Sequence, residues 1–246
     1  MRLCIIGNSH IAALKGGWEA GVKAEFPGIC LTFFGARGGG LTKLMVRGGT
    51  LTSDDAKIRS DLAFTSGGQI GIDPRLFDAF LVYGLCRNVN RQVRNYGAGY
   101  TRQVLESALL DYWAATSLIG VIRKLREITT LPIHAGASPL EAALGAASSN
   151  TSNYARFLDD SNQQVFALLG AALIGQPLET IVNGDATALA FASGSARLAV
   201  GAGNDLVPHQ AGETRHMNAD FGAKWLRHFL IGLMADDSDA TGMQTP

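Results

Sequence analysis

Only three of the 246 residues are cysteine (Cys4, Cys30 and Cys86), and no two of them form a CxxC pair. That scarcity excludes a disulfide scaffold and a thiol-type metal or redox motif, and it predicts reduced thiols in a reducing compartment. Cys4 and Cys30 sit in apolar runs and read as small core residues. Charge excess is missing too: 21 Lys and Arg stand against 21 Asp and Glu. A net charge of zero removes the electrostatic grip expected of a nucleic-acid or anionic-membrane binder, so neither partner is expected. No apolar stretch reaches transmembrane length without a charge or a strong turn former. The opening Met-Arg-Leu-Cys-Ile-Ile-Gly run is too short for a signal peptide and meets a turn at once, which points to a cytoplasmic protein. There is no HExxH and no His/Asp/Cys cluster for a metal. Gly7 lacks the second and third glycines of GxGxxG. No metal or cofactor is expected, and neither repeats nor low-complexity segments interrupt the chain.

What is present is a 47% hydrophobic composition over a length suited to one α/β domain. Apolar runs at Arg2–Ile6, Cys30–Phe34, Asp78–Tyr83 and Leu131–Ala135 read as buried parallel strands. Helical spacing follows the first strand over Ile11–Lys23, recurs over Tyr100–Thr129 and Asn153–Ile174, and closes the chain over Ala219–Met234. There Phe221, Trp225, Phe229 and Leu233 return every four residues. This alternation predicts a flavodoxin-like three-layer α/β/α sandwich with a central parallel sheet of about five strands. A single domain is expected over residues 1–236, with a possible lid or rim insertion within 140–195 and a flexible polar tail over 237–246. Residues 42–72 and 176–212 break the alternation and are expected at the active-site rim.

Two constellations could carry chemistry. The first strand ends in Gly7-Asn8-Ser9-His10, directly before a helix. A serine there lies at the carboxyl edge of the sheet, where a helix N-terminus favours a developing oxyanion; taken alone it equally fits a helix cap. Near the other end stands Glu213-Thr214-Arg215-His216-Met217-Asn218. A carboxylate three residues before a loop histidine can fix the tautomer that accepts a proton from serine, although a lone ExxH also describes a surface pair.

Together the two pieces resemble the SGNH/GDSL hydrolase family. Its nucleophile lies in a GDS-type motif at the first strand-to-helix turn, and its acid and base come from a DxxH motif before the last helix. Here Asn8 replaces the Asp of the first motif and Glu213 the Asp of the second. His216 through Gly222 is similar to the His-x-Asn-x-x-Tyr-Gly ending of some bacterial members. The resemblance spans nearly the whole chain and implies Ser9 as nucleophile, His216 as general base and Glu213 as its orienting acid. It also implies an oxyanion hole built from the amides of Ser9 and Gly38 in Gly35-Ala36-Arg37-Gly38, with Gly39 the near alternative. The third family motif, Gly-x-Asn-Asp, is broken: Cys86 stands where the donor Asn belongs. Either Asn88 replaces it, or Asn88 and Asn90 are turn residues and the donor is missing. Asn8, His10, Arg37 and Arg87 are the candidate substrate contacts, with solvated arginines the blander alternative. His209 is a second possible base but has no carboxylate three residues before it.

What the resemblance implies is a serine-dependent ester hydrolase working on a small-molecule or carbohydrate ester, such as an acetylated sugar or a short-chain acyl ester. An acyltransferase on the same triad and a weakly catalytic glycan-binding protein are the alternatives. A nucleotide-binding α/β protein is disfavoured by the lack of a phosphate-cradling glycine pattern.

Overall fold

The computed structural model describes residues 1–145 and 150–242, with 236–242 described by backbone alone. Its centre is a five-stranded parallel sheet: β1 Arg2–Gly7, β2 Cys30–Gly35, β3 Ala79–Tyr83, β4 Ile133–Gly136 and β5 Ala171–Ile174. The spatial order is β2-β1-β3-β4-β5, the flavodoxin-like arrangement. β1 is held on both sides, with Ile5 beside Phe33 on one flank and Leu81 on the other. Its two faces feed separate cores: Leu3 and Ile5 point into one, Cys4 and Ile6 into the other. Burial on both faces is why this strand reads as a continuous apolar run.

Helices α1 (Ile11–Gly17) and α7 (Ala219–Gly242) cover the first of these cores. Helices α2 (Ala56–Ser66), α3 (Val89–Asn95), α4 (Arg102–Ala114), α5 (Ser117–Arg126) and α6 (Ser152–Ser161) contribute to the other. α1 and α7 meet almost backbone to backbone. A Cβ at Gly222 would lie 1.8 Å from the Ala13 carbonyl oxygen, and one at Gly17 would lie 2.2 Å from the Ala223 nitrogen. Glycine is required there because no side chain fits between the two helices.

Several expectations need correction. Cys30 is exposed rather than a core residue, because it opens β2 at the rim of the sheet. Helix was expected to run through Ile174, but the chain turns at Gly170 and Ala171–Ile174 joins the sheet as its last strand. The Asn162 side chain closes that strand's outer edge, donating to the Leu173 carbonyl (3.0 Å) and accepting from the Leu173 amide (2.7 Å). Residues 42–72 do contain a hairpin, Met45–Arg47 against Thr50–Thr52, but also α2. α7 runs on to Gly242 without an intervening proline, so helical backbone replaces the first part of the expected flexible tail. Residues 243–246 of that tail, like 146–149 within the expected lid, lie outside the described residues.

The 140–195 segment carries regular structure of its own. Ala142–Ala143, Ile181–Val182 and Ala186–Ala188 form a second, three-stranded sheet. Buried Gln176 staples it, accepting from the Leu140 amide (3.1 Å) and donating to the hydroxyls of Thr180 and Thr187 (both 2.9 Å). No single helix among the described residues is long and apolar enough to cross a membrane.

Candidate active site

In the 2-1-3-4-5 order the connections after β1 and β3 leave on opposite faces of the sheet, opening a crevice at its carboxyl edge. Ser9 stands at that crevice. Gly7 brings it there, since a Cβ at position 7 would sit 2.3 Å from Ile11 Cγ2 and 2.5 Å from the Tyr83 carbonyl oxygen. Asn8 then shapes the turn, its Oδ1 accepting from the His10 amide at 3.2 Å. Gly84 (φ +74°) packs against this turn; a Cβ there would lie 2.6 Å from Asn8 Oδ1. Glycine at both flanking positions thus lets the serine turn sit in close contact with β3 and its following loop.

His216 arrives from the far end of the sequence. The Thr214 carbonyl accepts from the Ala142 amide (2.7 Å), tying the histidine loop to the small sheet. Asn218 opens α7: its Oδ1 accepts from the Phe221 amide at 3.1 Å, and its Nδ2 donates to the carbonyls of Ala190 and Ser193 at 2.9 Å each. These anchors place His216 Nε2 2.9 Å from Ser9 Oγ, a hydrogen bond between residues 207 apart in sequence. With Nε2 unprotonated, this is the geometry in which an imidazole takes a serine proton.

Glu213 is close but does not hydrogen-bond the ring. Its Oε1 accepts from the backbone amides of Arg215 (2.6 Å) and His216 (3.2 Å), while Oε2 lies 3.5 Å from His216 Nδ1. Partial burial raises the Glu213 pKa, but the two amides and His216 outweigh it, so the carboxyl ends below its usual range. The His216 ring stacks with two others, with centroids 4.3 Å from His209 and 5.0 Å from His10. Burial, then the neighbouring His216, pushes the His10 pKa down to about 3 and lowers that of His209 as well.

Next to the serine turn opens a cleft of about 340 Å³, with Asn8 rather than Ser9 or His216 in its wall, together with Gly38, Gly39, Arg87, Asn88 and Thr116 among others. Loops after β1, β2 and β3 thus converge on one cavity. Among the described residues no acceptor meets the amides of Ser9, Gly38 or Gly39, leaving them free to donate to a ligand. Gly38 has φ +61°, a conformation that favours glycine. Asn88 is exposed, in the left-handed region (φ +59°), and its side chain makes no cap bond to α3. Cys86 is turned inward: its Sγ accepts from the Ser138 amide (3.2 Å) and its carbonyl from the Ser138 hydroxyl (2.7 Å). Asn90 belongs to the scaffold, since its side chain donates to the Asp185 carbonyl (2.5 Å) and accepts from the Glu141 amide (2.7 Å).

Two of the candidate substrate contacts point elsewhere. Arg37 turns from the cleft to clamp the 198–205 loop, donating to the Leu198 carbonyl (2.8 Å from Nε), to Asn204 and to Asp205 (2.7 Å). Its guanidinium is thereby occupied by protein acceptors. His10 lays its ring on His216 rather than lining the cleft. Arg87 and Asn8 do line it. Sequence reasoning missed the structural parts of Asn90, Gln176 and Ser195, and the stacking of His209. No spacing pattern announces any of them, because each acts across segments distant in sequence. Among the described residues no group of three or more His, Cys, Asp or Glu side chains could hold a metal ion. No protein-family model matches the chain, and no curated protein matches it either.

Proposed function

We propose that the protein is a serine-dependent ester hydrolase of the SGNH type, acting through an acyl-enzyme on Ser9. The supporting observation is the 2.9 Å contact between Ser9 Oγ and His216 Nε2 at the carboxyl edge of the sheet. His216 Nε2 takes the Ser9 proton as Oγ attacks the ester carbonyl. The resulting oxyanion is stabilised by the amides of Ser9 and Gly38, with Asn88 at the cleft wall as a side-chain donor. The tetrahedral species collapses, His216 protonates the departing alcohol, and the acyl group stays on Ser9. Water repeats the sequence: His216 takes its proton, the carboxylic acid leaves, and Ser9 regains its hydrogen. A cleft of about 340 Å³ suits a small ester such as an acetylated sugar or a short-chain acyl ester. Three unpaired cysteines accord with a reducing, cytoplasmic setting.

The test is mass spectrometry of the protein after exposure to a fluorophosphonate. A stoichiometric adduct on Ser9, lost in His216→Ala, supports the hydrolase; partition of product between water and an added alcohol then separates hydrolysis from acyl transfer. One observation favours a second reading. Cys86 points inward where the family's third oxyanion donor belongs, and one missing donor costs about 10²–10³ in turnover. A folded protein that forms no adduct but binds glycans would be a binding module on the same fold.

A further inference from the structure

In a Ser-His-acid triad the carboxylate orients the imidazole by accepting its Nδ1–H. Here His216 Nδ1 is buried with no hydrogen-bond partner among the described residues. The nearest carboxylate oxygen, Glu213 Oε2, is 3.5 Å away, and Glu213 Oε1 is taken by the amides of its own loop. Glu213 therefore fixes the backbone of the loop and biases the tautomer by its charge, but it does not grip the ring.

Two other rings lie nearly parallel to that imidazole. His209 lies at 4.3 Å with planes 19° apart, and His10 at 5.0 Å with planes 23° apart. His209 is anchored independently of His216. The Nδ1 of His209 is 3.2 Å from Ser195 Oγ, and its amide donates to the Ser195 carbonyl at 2.9 Å. Ser195 itself is buried, and Ala196 bridges to Pro208, so this loop closes on itself around His209. The His10 backbone is held by its amide's bond to Asn8 in the serine turn, and its ring Nδ1 is buried. The remaining charged groups acting on the stack are Glu213 and Arg215 from the histidine loop and Arg197 from the loop bearing Ser195. Both neighbouring rings resist protonation, so they offer neutral π faces when the His216 ring becomes an imidazolium.

We propose that His209 is a positioning residue: together with His10 it clamps the His216 imidazole by stacking, holding Nε2 toward Ser9 Oγ in place of a hydrogen-bonded acid. The catalytic meaning of the clamp rests on the proposed esterase, but the clamp itself does not, and the experiment separates the two. In protein labelled with ¹³C and ¹⁵N at histidine, nuclear Overhauser contacts between the His216 ring and the Ser9 β protons report ring orientation without turnover. The rate of fluorophosphonate labelling at Ser9 is measured alongside.

His209→Ala is expected to weaken the ring-to-Ser9 contact and slow labelling about tenfold, the scale of one aromatic pair. His209→Phe, which restores a flat face without a titrating nitrogen, is expected to recover both. Glu213→Gln, which keeps an oxygen for the loop amides, is expected to leave the contact in place. If His209→Ala failed to fold, Ser195→Ala would take its place, expected to loosen the contact by unpinning His209. Wild-type contact in His209→Ala, or no recovery in His209→Phe, would overturn the clamp. If the wild-type protein shows the contact but never labels at Ser9, the esterase falls and the clamp stands.

Discussion

Single side chains at this site divide the labour differently from what their types suggest. A carboxylate three residues before a histidine announces an orienting acid, and the spacing is real. Its oxygens, however, serve backbone amides first. Glu213→Gln should therefore lower kcat/KM for a model ester by less than about 10²-fold, whereas loss of a hydrogen-bonded acid costs about 10⁴. Steady-state kinetics of the variant decide between them. Ser9→Ala should remove turnover without shifting the unfolding temperature, because the hydroxyl makes a single part-buried hydrogen bond, to His216; retained esterase activity would move the nucleophile elsewhere. His10 makes stability depend on pH. Its pKa is about 3 in the folded chain against 6.5 ordinarily, so between these values the unfolded chain binds a proton that the folded one does not. Stability is then complete above pH 6.5 and declines as pH falls, by up to about 1.4 kcal/mol per unit from this residue. Denaturant titrations from pH 6.5 down to about 4.5, above the ordinary carboxylate range, should show the slope, and His10→Phe should reduce it to the part that His209 contributes. That Ser9 and His216 meet could be anticipated from the strand-to-helix turn of the one and the loop before the last helix that carries the other. Arg37 was not, since a charge says nothing of which acceptor it will meet.

Among the elements, the α1–α7 crossing matters most to the site, because one helix follows Ser9 and the other follows His216. Contact this close leaves no room for even a methyl group at Gly222. Gly222→Ala should force the helices apart at a cost of about 1–3 kcal/mol or more, lowering the midpoint of thermal unfolding. Labelling of Ser9 should fall further than in Gly232→Ala, where a Cβ meets open space. The long apolar runs of β1 and β3 and the stripe of α7 could be read directly, since periodicity is visible without the partner. β5 could not: Ala171-Ala172-Leu173-Ile174 is short and alanine-rich, and its place in the sheet is fixed by β4 and Asn162. α2 escaped notice because its buried positions Ile58, Asp61, Leu62 and Thr65 mix polar with apolar residues.

For the molecule as a whole, the order of strands puts the loops after β1, β2 and β3 side by side, and a second small sheet braces the histidine loop from behind. Asn90 links the two parts, so Asn90→Ala should leave a part-buried carbonyl and amide without their partner at a cost of about 1 kcal/mol. Hydrogen exchange at the Glu141 amide should rise sharply in that variant; unchanged protection would show that the brace stands without it. The fold class was legible from alternation alone. The brace was not, because its stabilising bonds join side chains to distant backbone, a pattern that leaves no period in a sequence.

The helix crossing also orders events in time. The serine lies near the beginning of the chain and its base near the end, and they meet only when α7 docks on α1. During synthesis, the serine turn emerges from the ribosome long before the histidine does. If the proposed esterase holds, Ser9 stays an ordinary hydroxyl until the last helix seats its glycine against Ala13, and an unfinished chain does not attack esters around it.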